Sequence, residues 1–192
     1  TASNKVYDDA LTATLSTAGH ALVGVVGVED VTLDASGKSG LFATQHVGVA
    51  KAVTVTGLAL AGVDAGNYSI TQPTDVTANI TARALTVTAA TDSKVYSGNT
   101  NSTGTPTVTS GVLQGNDTIS AISQTYDNKN IGSGKTLTAS GVVTDGNGGN
   151  DYTLTLATNT TGEITAKEIT LTGVTASNKV YDDALTATLS TA

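Results

Sequence analysis

Any acid–base or metal chemistry in this chain rests on two histidines, thirteen aspartates and three glutamates, since it has no cysteine. An imidazole can act as a general base or a metal ligand near neutral pH. Yet neither His20 nor His46 has a counterpart in the second half of a chain that otherwise repeats itself. We read both as plain loop or strand residues. No Gly-x-Ser-x-Gly elbow offers a nucleophile, and no Walker or dinucleotide loop offers a phosphate cradle. The sequence therefore predicts a non-enzymatic protein, with no catalytic residues and no cofactor.

The stretch DGNGGNDYTL (145–154) contains Gly-Gly-Asn-Asp, similar to the calcium-binding nonapeptide Gly-Gly-x-Gly-x-Asp. That nonapeptide works by stacking turns, so that each completes the next turn's site. A single copy predicts a hairpin turn. Asp64, Asp145 and Asp151 are the ligands to expect if calcium stiffens the chain.

Repeats show which elements must hold these residues. Residues 1–18, TASNKVYDDALTATLSTA, recur letter for letter as residues 175–192, an offset of 174. Inside that long period lies a shorter one. A Lys-Val-Tyr core recurs as Lys5 to Tyr7, Lys94 to Tyr96 and Lys179 to Tyr181. At an offset of 84, Tyr68 falls over Tyr152, Lys51 over Lys135 and Ile80 over Ile164. VEDVTL (28–33) matches GNDTIS (115–120), which sets Asp30 over Asp117. We place module one at 1–83, module two at 84–171, and the start of a third at 172–192. The chain reads as a window on a tandem array, whose neighbours stabilise one another.

Composition bounds the fold and the partners. A net charge of −7 argues against nucleic acid or an anionic membrane. No apolar run approaches the ~20 residues of a membrane span. Thirty-seven threonines and twenty-one glycines, with two prolines, describe short strands joined by turns. The segments 52–57, 84–89, 105–110, 135–140, 151–157 and 168–173 alternate apolar residues with Thr, the period of a half-buried strand. Residues 18–30 hold at most a helical turn. The prediction is an all-β, elongated array of modules of six to eight strands, sandwich-like or, alternatively, β-grasp-like.

LAGVDAGNYSITQPTDVTANITARALTV (60–87), followed by DSKVYSGNT (92–100), resembles the YDG-type repeat domain, which is related to the MBG-type domains. Its modules open on Lys-Val/Thr-Tyr-Asp-Gly and close on Ala-Gly-Asn-Tyr and Ile-Thr-Ala-Lys. Here the opening stands at 5–9, 94–98 and 179–183, the closing turn at 65–68, and the closing strand at 80–83 and 164–167. Asp9 and Asp183 occupy the position of the name-giving Gly, and Ser97 that of the Asp. The resemblance implies a structural or adhesive β-module of large bacterial surface proteins, among them filamentous-haemagglutinin-like adhesins. It implies an extracellular location at the bacterial cell surface, and no catalytic residues.

Two readings of the repeated Lys and Tyr follow. In one, Tyr packs inward while Lys lays its stem over apolar surface. In the other, a Lys–Asn or Lys–Asp cross-link ties strands together. The leading expectation is a shaft or surface fibre, with neighbouring repeats or identical subunits as partners. A ligand-binding module for host glycan or glycoprotein is the alternative. Residues 175–192 would then be edge strands without a body, able to dock on a neighbour by strand addition.

Overall fold

The computed structural model describes residues 1–191. Its first half contains strands β1 (Lys5–Val6), β2 (Thr12–Ala13), β3 (Thr32–Asp34), β4 (Ser39–Phe42), β5 (Gly48–Thr56), β6 (Ala59–Ala61) and β7 (Thr77–Thr81). Alternation decides which face is buried. In β5, Val53 and Val55 turn into the core while Thr54 and Thr56 stay in solvent. Five strands form one sheet in the order β1-β7-β5-β4-β2, and β3 pairs with β6 apart from it. β1 runs parallel to β7, with Lys5 opposite Ile80. The DAGN segment is a 3-10 turn at Ala65–Asn67, the one helical element among the described residues.

The second half contains β8 (Arg83–Thr88), β9 (Ser93–Val95), β10 (Thr107–Ser110), β11 (Thr118–Tyr126), β12 (Gly132–Thr144), β13 (Tyr152–Ala157) and β14 (Asn159–Thr165). They build two sheets, β10-β8-β13 and β11-β12-β14-β9. Val87 of the first sheet shares a buried cluster with Leu137 and Ile164 of the second. The two sheets therefore face each other as a sandwich. β8 is antiparallel to β10 and parallel to β13, and β14 is parallel to β9. The protein is all-β, in several sheets.

A second buried cluster crosses between the halves. It joins Tyr7, Phe42, Val53, Val55, Ala78 and Ile80 to Leu85, Val143 and Tyr152. Residues 166–190 are exposed, and among the described residues there the only pairing is β15 (Val174–Ala176) with β16 (Leu189–Thr191). The strand expected at 168–173 does not form, because nothing lies beside it to accept its hydrogen bonds. The total accessible surface is 12041 Å² for 19.1 kDa. A compact monomer of that mass exposes roughly 8,400 Å², so this one is drawn out.

Candidate functional site

The chemistry-bearing residues converge where the two halves meet. There the loop between β12 and β13 holds itself together. Asp145 accepts backbone N–H groups from Asn147 (2.8 Å), Gly149 (2.7 Å) and Asp151 (2.9 Å). Burial alone would raise the Asp145 carboxyl, but these three donors overcome it and hold its pKa below the ordinary value. The folded loop then carries Asp151 across the junction. Its carboxylate, wholly buried, accepts from His46 Nδ1 at 2.6 Å, from the Val47 N–H at 2.8 Å and from Asn147 Nδ2 at 2.9 Å. The Arg83 N–H donates to the Asp151 carbonyl, and Arg83 Nε to the Tyr7 carbonyl at 2.7 Å.

Beside this clamp sits an aromatic lock. The Tyr7 and Tyr152 rings meet edge to face, 5.5 Å apart and 75° inclined. Both hydroxyls donate to the same atom, Asp117 Oδ2, at 3.0 and 2.7 Å. The Gln114 N–H donates to the Tyr152 hydroxyl at 2.7 Å. Burial, reinforced by Asp117, pushes Tyr152 up to about 12, and Tyr7 higher still.

A group whose folded pKa is raised stabilises below its unfolded pKa, and that contribution disappears as pH climbs through the folded value. For Tyr the unfolded value is about 10. A lowered Asp does the reverse, and its contribution is lost as pH falls below about 3.9. Stability should therefore hold level through neutral pH and fall on both sides, above about pH 10 and below about pH 4. Urea melts from pH 3 to pH 12 check this. Asp117→Asn should soften the alkaline edge.

Repetition places the first module's counterparts. Tyr68 accepts the Val26 N–H and donates to Glu29, as Tyr152 accepts from Gln114 and donates to Asp117. Glu29, rather than Asp30, thus stands where Asp117 stands. Asp30 instead presents its backbone N–H to Asp64 Oδ2 at 2.9 Å. So Asp64 caps a loop of module one, while Asp145 and Asp151 organise one in module two. Among the described residues no three His, Cys, Asp or Glu side chains form a metal-sized group. His20 is exposed, with Nδ1 against the Thr17 carbonyl.

The repeated lysines close the opening turn of each module. Lys5 Nζ donates to Asp8 Oδ1 (2.7 Å) and to the carbonyls of Ala10 (2.6 Å) and Thr12 (3.1 Å), and lies over the Phe42 ring. Lys94 does the same with the carbonyls of Asn99 and Asn101, over the Tyr126 ring. Lys179 repeats it with Asp182 and Ala184. The turn needs a left-handed residue, which is Asp9 (φ 57°), Gly98 (φ 80°) and Asp183 (φ 57°). Glycine meets that requirement without strain, and aspartate is among the few other residues that visit this region. Asp9 in turn presses on Gly115, where a Cβ would fall 1.8 Å from its carboxylate.

Lys135 is the buried lysine, 2.6 Å from Asn128 Oδ1 and 3.0 Å from Asp127 Oδ1. Lys135 holds the exposed Asp127 below the ordinary carboxylate value. Asp127 is thus a poor acid to assist an amide cross-link. Tyr7 and Tyr152 are buried, Tyr96 half-buried and Tyr181 exposed. Asp117 was legible only as a repeat position, and Gln114 and Arg83 only as parts of a turn and a strand, since nothing local ties Asp117 to a tyrosine 110 residues away.

In comparisons with curated proteins and with solved structures, no protein matches this chain. A family model, the YDG domain, matches residues 1–76 and again residues 81–161. With most of its length matched in two successive copies, the chain belongs to the YDG domain family.

Proposed function

We propose that this chain is a non-enzymatic structural repeat of a bacterial extracellular adhesin, a piece of shaft or surface fibre that extends by serial β-modules. The observation that carries the reading is the junction. Tyr7, Leu85, Val143 and Tyr152 share one buried cluster across the two halves, and Asp151 and Asp117 bond across it. Contacts of core quality turn two modules into a stiff rod rather than beads on a linker. The YDG membership and the 174-residue copying support serial extension. The Tyr7 and Tyr152 rings are buried against each other, which leaves neither face open to stack on a sugar.

Small-angle X-ray scattering on the monomer tests this. A compact 192-residue globule has a radius of gyration of roughly 16 Å. A clearly larger value, with the cross-section of a single module, is expected. A value near 16 Å would overturn the shaft reading.

A further inference from the structure

In module two, β8 fills the gap between β10 and β13, and its Leu85 and Val87 are wholly buried. Module one has the same two walls and, among the described residues, nothing between them. Tyr68 repeats the bonding of Tyr152, so residues 68–72 stand where β13 stands. Gly24 and Gly111, both with positive φ, end residues 20–23 and β10 alike. Neither wall is a strand in module one. Between them lies an open groove of about 510 Å³, lined by Leu22, Leu33, Leu58, Leu60 and Ile70.

The far end of module two has the opposite problem. Residues 167–171 repeat β8 at the 84-residue offset, placing Ile169 on Leu85 and Leu171 on Val87. Ile169 is 90% and Leu171 80% exposed. Tyr96, the counterpart of the buried Tyr7, is only half-buried and borders a hollow with Ile131, Lys167 and Ile169. Among the described residues, 167–171 repeat β8 without its walls, and 20–23 with 68–72 repeat the walls without β8.

We propose that Glu168–Thr172 of one copy of this unit inserts between residues 20–23 and 68–72 of a second copy, parallel to 68–72 and antiparallel to 20–23. β8 supplies the register: Tyr152 faces Arg83 and Leu154 faces Leu85, so Tyr68 faces Lys167 and Ile70 faces Ile169. The occupant is a second copy because the structure already contains this contact once, at β8. β8 also runs directly into a module opening at β9, and Glu168–Thr172 runs directly into residues identical to 1–18. The donor's residues 175–192 can replace the acceptor's β1 and β2 without changing a side chain. In this arrangement residues 168–172 make the insertion, and residues 175–192 restore an edge the acceptor already has. Head-to-tail insertion leaves a strand free at one end and a groove free at the other, so it does not close on itself.

The inference rests on the serial-array reading but is tested separately, by sedimentation velocity on the full chain over a concentration series. Wild type should associate. A donor variant, Ile169→Asp with Leu171→Asp, and a groove variant, Leu22→Asp, should each stay monomeric, while their equimolar mixture forms a dimer. A peptide of residues 166–173 should bind the donor variant saturably, and each Asp placed in the peptide should weaken it by roughly tenfold or more. Because Ile169 and Leu171 are exposed, the donor variant keeps its fold. Unchanged association of that variant, or no peptide binding by it, would overturn the inference. A rod-like monomer would still uphold the shaft.

Discussion

Replacing Leu85 by alanine should cost about 2–5 kcal/mol, the range for a fully buried leucine whose cavity cannot collapse. Leu85 is wholly buried, and its neighbours come from both halves, with Tyr7, Phe42 and Ile80 on one side and Val143 and Tyr152 on the other. The loss should therefore reach both modules, although β8 belongs to one sheet. Calorimetry of the variant should show the whole transition moving down, and near-ultraviolet dichroism should report looser tyrosine packing. Val108→Ala, on exposed β10 in the same sheet, should cost far less. A Leu85→Ala variant as stable as wild type would mean the cluster is not a shared core.

Asp151→Ala should separate the modules. The change leaves the half-buried Val47 N–H and the Asn147 amide without their acceptor and removes the partner of His46. Each donor left without its acceptor costs about 1–3 kcal/mol, against about 1 kcal/mol or less for an exposed ion pair. His46→Ala should fall near the lower figure, because its ring is 30% exposed and Asp151 keeps its other donors. Since Asp151 joins the halves more than it fills either, a single thermal transition should split in two. A single transition at the wild-type temperature would show the clamp to be dispensable.

The strands were largely legible. Val53 and Val55, Leu85 and Val87, and Leu137 and Ala139 sit on the buried face as their spacing with Thr foretells. Pairing was not. Nothing local in KVY says that β1 runs parallel to β7 some seventy-five residues on, because parallel partners are chosen by the closing of the whole module. The segment 168–173 has the right alternation yet stays unpaired, since alternation reports a face and not the presence of a neighbour. For the junction, the tyrosines were found through their repetition. Asp151 was singled out too, but for calcium, because its sequence shows a Gly-rich acidic turn and not the Val47 N–H it meets. His46 looked inert because it is unrepeated. It pairs with a loop of the next module, and the two modules' loops have diverged.

The parallel pairs decide how such a chain bears tension. β1, near the start of its module, runs alongside β7, near the end, and β8 and β9 run likewise alongside β13 and β14. A pull on the two ends drags these partners past each other lengthwise instead of peeling them apart. Every hydrogen bond of the pair then resists together, so a module yields in one abrupt event at high force and not as a zipper opening rung by rung.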